Sequence, residues 1–154
     1  MNILVDAHPV AIEAAQEAYV ALSEMMTRGY QLKLSGIRIR ATEENDIVEG
    51  IGASVNNQRL SISIPKSVPV GKVDEASLAW FSGTTDGVRS FAGSTLKDLI
   101  VHEMGHVLHK YPKRWDRNAN AVPTPPKEVA RAVSHYATEN ALEFVAETFN
   151  LLYN

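Results

Sequence analysis

The apolar segment Leu99–Leu108 contains the pattern H-E-x-x-H, formed by His102, Glu103 and His106. Two histidines four residues apart on a helix project from one face and can share a metal ion. The glutamate between them can accept the proton of a metal-bound water. With 5 histidines and 12 glutamates in 154 residues, the pattern arises by chance in about one such chain in a hundred, so its surroundings decide its weight.

The residues around this pattern favour a helix. Ser94 or Thr95 can cap its start, and Thr95 with Asp98 forms a variant of the capping box. Pro112 ends the helix because its ring cannot continue it. Apolar residues at helical spacing predict a buried face: Ile100, Met104, Val107 and Tyr111. The alternative is a buried helix whose two histidines are hydrogen-bonded core residues.

A catalytic zinc ion needs a third protein ligand, with one position left for water. The spacing H-E-x-x-H-x-x-G-x-x-H is excluded, because His109 and Pro112 occupy the positions that require Gly and His. His109 is also about two turns from His102, roughly 10 Å along the helix, too far for both to bind one tetrahedral ion. We therefore assign His109 to a place behind the metal ligands, to the surface or to the substrate side of the site.

The C-terminal segment Ser134–Tyr153 supplies other candidates for the third ligand. A helix is predicted there by an apolar stripe: Leu142, Val145, Ala146, Phe149 and Leu152 or Tyr153. Glu139, Glu143 and Glu147 recur every four residues on a neighbouring face, and no Lys or Arg follows Arg131 to pair with them. Such a stripe is ordinarily a solvated surface. Carboxylates that repel one another also favour a nearby cation, however.

Two runs of residues together resemble a known family. They are H-E-M-G-H from His102 to His106, and Y-A-T-E-N-A-L-E-F-V-A-E from Tyr136 to Glu147. Both are similar to the gluzincin-type peptidase domain of anthrax lethal factor and related zincin-like toxin and phage proteins. No comparable similarity is seen in the first ninety residues. The resemblance implies a zinc ion bound by His102, His106 and Glu143.

The same resemblance implies roles for the other polar residues. Glu103 would be the general base, Tyr136 would donate its hydroxyl to the developing oxyanion, and Glu147 would orient a ligand histidine. Glu139 stays open as the less favoured third ligand, and His135 as a less favoured substitute for Tyr136. Tyr136 could also be an ordinary half-buried aromatic residue near a helix start.

Composition limits the remaining possibilities. A chain of 154 residues, 45% hydrophobic and 21% charged, fits one globular domain over residues 1–154. The net charge of −3 gives no electrostatic reason to expect binding to nucleic acid or an anionic membrane. No apolar run approaches the roughly 20 residues of a membrane span, and the N-terminus lacks an ordinary signal peptide. We expect a cytoplasmic protein, unless a dedicated secretion or phage route delivers it.

The predicted fold is α+β and zincin-like, with a small, mainly antiparallel sheet and the zinc between the last two helices. A helix is predicted over 9–28, with Pro9 in its first turn. Its apolar stripe is Ile12, Ala15, Tyr19, Leu22 and Met26. Strands are predicted over 31–41, as one strand or as two halves around Ser35-Gly36, and over 47–55 and 59–64. Pro65 suggests that the last is an edge strand, which in the similar family would pair with an extended peptide.

Two loops are predicted, over 66–93 and 112–127, with a short helix at 73–80 inside the first. Trp80 and Phe81 either anchor that loop to the core or line a substrate pocket. The expected function is that of a zinc metalloendopeptidase acting on peptide or protein substrates. One alternative is a catalytically silent zincin-like phage or toxin-related protein, whose metal serves a binding, structural or regulatory role. A second alternative is a self-processing or regulatory protease with one physiological target.

Overall fold

A four-stranded sheet with helices packed on one face forms the core of the protein. It is seen in a computed structural model that describes residues 1–43, 51–81, 83–85, 87–109 and 125–154. In chain order the elements are β1 (Asn2–Val5), α1 (Pro9–Thr27), β2 (Gly36–Thr42), β3 (Gly52–Asn56), β4 (Arg59–Pro65), α2 (Val73–Phe81), β5 (Thr84–Thr85), β6 (Val88–Arg89), α3 (Leu96–Leu108), α4 (Lys127–Val133), a 3₁₀ turn (Tyr136–Thr138) and α5 (Ala141–Tyr153). The α+β class is as predicted.

The strand order in the sheet is β1-β2-β4-β3. β1 pairs with β2 and β2 with β4 in parallel, whereas β3 and β4 are antiparallel. The sheet is therefore mixed, which corrects the prediction of a mainly antiparallel one. The reason is β1, a strand that was not predicted: α1 joins β1 to β2 as a crossover, and crossovers connect parallel strands. The short strands β5 and β6 form a separate antiparallel pair.

β4 lies between β2 and β3, so it is an inner strand and the prediction of an edge strand is wrong. The side chains of Leu60, Ile62 and Ile64 are fully buried in the core. Pro65 is the last residue of β4, and within the described residues the pairing with β3 extends only to Ser63, opposite Gly52, so the proline lies at a tolerated position. The strand of this sheet that packs on α3 is the edge strand β3.

Two other strand boundaries differ from the prediction. β2 begins at Gly36, and residues 31–35 before it are not in a strand. β3 begins at Gly52, while residues 44–50, which include part of the predicted strand over 47–55, lie outside the described residues. The hairpin between β3 and β4 turns at Asn57 and Gln58, both with positive φ (51° and 61°). This is the geometry of the type I′ turn that suits a two-residue hairpin.

Helix α1 is confirmed almost to the residue, but only part of its predicted apolar stripe is buried. Leu22 is buried as predicted and Ala15 is partly buried, whereas Ile12, Tyr19 and Met26 are 47%, 74% and 63% exposed. The other buried positions are Val10, Ala11, Ala14, Ala18, Ala21 and Met25. Alanines bring a helix backbone close to its neighbours, whereas pattern analysis gives most weight to large side chains. The helix therefore packs against the sheet and α3 through its small residues.

Helices α3 and α5 lie against each other at very short range. A Cβ atom built on Gly105 would lie 3.1 Å from Cα of Ala146 and 3.2 Å from Cδ1 of Phe149. A side chain at this position would therefore push the two backbones apart. Because Glu143 lies one turn before Ala146 on α5, this approach brings its carboxylate within reach of α3.

The remaining predictions concern loops and membrane segments. The short helix in the first loop is confirmed as α2, and the side chains of Trp80 and Phe81 lie outside the described part of the structure. The second predicted loop lies mostly in residues 110–124, which are also outside it. Within the described ranges, each helix is too short or too polar to cross a bilayer.

Candidate metal centre

The start of α3 is held by the capping box that its sequence predicts. The Thr95 hydroxyl accepts a hydrogen bond from Asp98 N at 3.2 Å, and the Asp98 carboxylate accepts one from Thr95 N at 3.1 Å. The Asp98 carboxylate accepts a second hydrogen bond, from Ser94 N at 2.8 Å. These bonds satisfy amides that a helix start leaves unpaired. They fix the first turn of α3, which carries His102 and His106 in its later turns.

His102, His106 and Glu143 converge on one point. Each offers one ligand atom, and these atoms all lie within 4.8 Å of one another. Oε1 of Glu143 is 2.6 Å from Nε2 of His106, and its Oε2 is 3.4 Å from Nε2 of His102. Two imidazole nitrogens and a carboxylate oxygen are a donor set that zinc accepts. The structure thus brings together the three residues that the sequence resemblance selected.

The start of α5 positions Glu143 for this contact. The Asn140 side chain caps the helix by accepting a hydrogen bond from Glu143 N at 2.9 Å. The Glu143 side chain is 13% exposed and that of His106 is 25% exposed, whereas that of His102 is 2% exposed. Because two of the three side chains reach solvent, this is an accessible cluster and not a sealed hydrogen-bonded core.

The charges of these side chains depend strongly on one another. Burial alone would raise the pKa of Glu143 and lower that of His102. Hydrogen bonds with His102 and His106 outweigh burial and hold the pKa of Glu143 well below its usual range. Hydrogen bonds with Glu143 and Glu147 similarly raise the pKa of His102 to about 9. A cation that binds here must therefore displace a proton from His102.

Glu103 lies beside this cluster and is largely buried, with 8% of its surface exposed. Burial raises its pKa to about 7, against the opposing effect of the charges of His102 and His106. A hydrogen bond from the backbone of Val55 also favours the ionised form. A carboxyl group that titrates near neutral pH can both accept and release a proton there.

Glu147 is fully buried and holds the far side of the His102 ring. Its Oε2 lies 2.9 Å from Nδ1 of His102, which donates to it. Its Oε1 accepts two further bonds, from Ala92 N at 3.0 Å and from the Ser134 hydroxyl at 2.6 Å. With Nδ1 engaged in this way, Nε2 of His102 is left to face the ligand cluster.

Tyr136 lies in the 3₁₀ turn before α5, 38% exposed, and its hydroxyl donates to the Glu143 carboxylate. Its ring centroid is 5.7 Å from those of both Phe91 and His102. Burial raises the pKa of Tyr136, and the hydrogen bond to Glu143 raises it further. The phenol therefore stays protonated and can act as a hydrogen-bond donor throughout the neutral pH range.

The rival candidates lie apart from the cluster. Glu139 is exposed at the end of the 3₁₀ turn and is not in the ligand group found among the described residues. His109 is the C-cap of α3, with its pKa lowered by burial and by His106, and it does not join that group either. The His135 amide donates to Arg89 O at 2.7 Å, which pairs its turn with β6.

Besides the main chain of Val55, which hydrogen-bonds to Glu103, sequence analysis missed Phe91, Ala92 and Ser134 at this site. Phe91 is buried beside the His102 ring, with the two centroids 5.1 Å apart. Ala92 contributes its main-chain amide, and because most residue types carry this group, the contact cannot be recognised from the sequence. A serine just before the C-terminal helix segment is too common to single out, so only its burial identifies Ser134.

Comparisons of this chain with models of protein families, with curated proteins and with solved structures find no match. The function is therefore inferred from the chemistry and geometry of the site itself.

Proposed function

We propose that this protein is a zinc metallopeptidase of the gluzincin type that hydrolyses peptide bonds in peptides or proteins. The observation that carries the proposal is the convergence of three ligand atoms, from His102, His106 and Glu143, beside a buried Glu103. Tyr136 adds a hydroxyl donor at the same place. A ligand set, a proton acceptor and an oxyanion donor are the three parts that this hydrolysis requires.

The three ligand residues fit zinc by their chemistry. Catalytic zinc sites commonly use two histidines and one glutamate and keep one position open. When bound, zinc supplies a Lewis acid that lowers the pKa of its water to about 7 and polarises a carbonyl group. The partial exposure of His106 and Glu143 leaves room for a substrate to approach.

The chain's own residues then account for the proton transfers. Glu103, with a pKa of about 7, accepts the proton of the attacking water and delivers it to the leaving amine. The Tyr136 hydroxyl donates to the carbonyl oxygen as negative charge develops on it. Glu147 holds the His102 ring in one orientation and one tautomer.

The alternative is a silent zincin-like protein that uses its metal for binding, structure or regulation. A purely structural metal site needs neither a carboxyl group whose pKa is near 7 nor a tyrosine hydroxyl beside the ligands. Glu103 and Tyr136 are both present at the site. Their presence favours the enzyme.

The deciding experiment measures metal content in the protein purified without chelator. The wild type is compared with Glu143→Ala, and with Glu139→Ala as a matched control on the same segment. We expect about one zinc ion per chain in the wild type and the control, and a sharp loss in Glu143→Ala with unchanged circular dichroism. A wild type that takes up no zinc even after incubation with the ion would overturn the proposal.

A further inference from the structure

A chain of buried hydrogen bonds connects the amide of Ala137, the residue after Tyr136, to the His102 ring. The Ala137 amide donates to the Ser134 hydroxyl oxygen at 3.1 Å, and that hydroxyl donates to Glu147 at 2.6 Å. Glu147 in turn accepts the bond from the His102 ring at 2.9 Å. Ser134 and Glu147 are fully buried and His102 is 1% exposed. Water therefore has little access to replace any of these bonds.

Ser134 determines how Glu147 can orient. A buried carboxylate must have its oxygens satisfied by donors, and bonds to a charged group are the strong ones. Without the hydroxyl, the bond from Ala92 N would be the one left to Oε1 of Glu147 among the described residues. The carboxylate could then rotate, and the His102 ring would follow it because the other oxygen holds Nδ1.

Ser134 also fixes the turn that carries Tyr136. The amide of Tyr136 donates to Ser90 O at 3.0 Å, and the next amide, that of Ala137, donates to Ser134. The peptide groups on both sides of Tyr136 are therefore held, one by the segment after β6 and one by Ser134. This sets the direction in which the tyrosine side chain leaves the backbone.

We propose that Ser134 is a positioning residue that couples the oxyanion donor Tyr136 to the ligand His102 through Glu147. This inference rests on the proposed function, because the coupling matters for a site in which His102 binds the metal and Tyr136 contacts the same substrate. It would keep these two side chains in a fixed position relative to each other. Ser134 is not in the ligand group, and its hydroxyl contacts Glu147 and the Ala137 amide. Its hydroxyl fixes two groups that come from α3 and from the turn before α5.

The test compares Ser134→Ala with Ser77→Ala. Ser77 is the matched control, since it is equally buried but its hydroxyl donates to Val73 O within its own helix. Zinc affinity is measured by competition with a chelator. Loss of a direct partner of a ligand typically costs 10–100-fold in metal affinity, so we expect roughly threefold to tenfold weaker binding in Ser134→Ala. The control should bind as the wild type does.

A second readout needs no metal. In the presence of excess chelator, NMR resonances of the His102 and Tyr136 rings should both shift in Ser134→Ala and stay in place in Ser77→Ala. Ser134→Thr, which keeps the hydroxyl, should leave both rings unshifted. If Ser134→Ala does not fold, Glu147→Gln replaces it, with faster exchange of the Ala137 amide as the expected result.

Three results would overturn the inference: ring resonances in Ser134→Ala that match those of the control, Ser134→Thr as impaired as Ser134→Ala, or an Ala137 amide unaffected by Glu147→Gln. A wild type without zinc affinity would refute the proposed function instead. The ring resonances and amide exchange would still decide the role of Ser134.

Discussion

The main chain of Val55 hydrogen-bonds to the carboxylate of Glu103. In the β3–β4 hairpin, Asn56 and Arg59 are the pair that flanks the turn. Val55 and Leu60 are the next pair along the ladder. Pairs alternate along an antiparallel ladder, so the N–H of Val55 points away from β4 and toward the open edge of the sheet. The edge strand thereby fixes the residue that the proposed mechanism uses as a base.

Glu103→Gln is expected to lower peptide cleavage sharply while leaving zinc content unchanged and thermal stability no lower than that of the wild type. Glutamine has the same shape and its carbonyl can still accept from Val55, but it cannot take a proton. General-base catalysis contributes typically 10²–10⁴-fold, so kcat should fall by about that factor. Cleavage of a peptide mixture followed by mass spectrometry measures the loss. Full activity in this variant would refute the assignment.

Tyr136→Phe is expected to lower kcat by about 10²–10³-fold, the usual effect of removing one oxyanion donor. Zinc content should be retained, since the hydroxyl is not a ligand in the proposed site. Tyr19→Phe on the exposed face of α1, 74% exposed, is the matched control and should retain wild-type kinetics. Equal kinetics for the two variants would show that the Tyr136 hydroxyl has no role in catalysis and that Tyr136 is an ordinary half-buried aromatic residue.

With excess chelator, the stability of the protein is expected to decline as pH rises from about 6.5 through 9. The pKa of His102 is raised from 6.5 to about 9, so its stabilising contribution is full below 6.5 and lost as pH passes 9. Glu103, raised from 4.5 to about 7, acts in the same direction over its own lower range. The pKa of Glu143 is lowered, so this group stabilises the fold above pH 4.5 and loses that contribution as the pH falls below it. It therefore does not affect the decline between pH 6.5 and 9.

Thermal unfolding at a series of pH values measures this decline. Zinc-loaded protein should behave differently, because zinc binds neutral imidazole and its affinity rises as protons are lost. Glu147→Gln should flatten the decline, since Glu147 is one of the groups that raise the pKa of His102. A chelated wild type whose melting temperature is constant from pH 6.5 to 9 contradicts the assigned His102 interactions.

Gly105→Ala is expected to weaken zinc binding and to lower stability. The added methyl group would press on Cα of Ala146 at 3.1 Å, and backbone is harder to displace than a side-chain tip. Overpacking costs about 1–3 kcal/mol, against about 1 kcal/mol gained by replacing a helical glycine. Gly83→Ala is the control, because within the described part of the chain its Cβ would meet Ser90 Oγ alone, at 3.6 Å. Equal zinc affinity in both variants would show that α5 can yield without moving Glu143.

Local signals explain what could be predicted of the fold. The capping pair Thr95 and Asp98 and the start of α1 at Pro9 depend on neighbouring residues, so sequence suffices to find them. The short, exposed strand Asn2–Val5 has no buried face to create an alternating pattern, and it was missed. Missing it concealed the parallel pairing. Whether β4 is inner or edge depends on strand order, which no residue of β4 encodes.

In the candidate site, too, some residues could be predicted from the sequence and others could not. Side chains with distinctive chemistry, such as His102 and Glu143, could be selected by spacing and by resemblance. Contacts made by common residues could not, because Ser134 and the amides of Ala92 and Val55 become significant only through burial and proximity. A site of this kind is predictable in its reactive groups and unpredictable in the framework that orients them.

The close approach of α3 and α5 changes how the H-E-x-x-H pattern should be written for this chain. Its two unspecified positions are both constrained: Met104 is fully buried in the core and Gly105 touches the backbone of α5. A search pattern that requires a large apolar residue and then glycine at these two positions, and later a serine thirteen residues before a glutamate, is more specific than H-E-x-x-H alone. Distant relatives of this protein could be recognised by that extended pattern even where overall identity is too low to align.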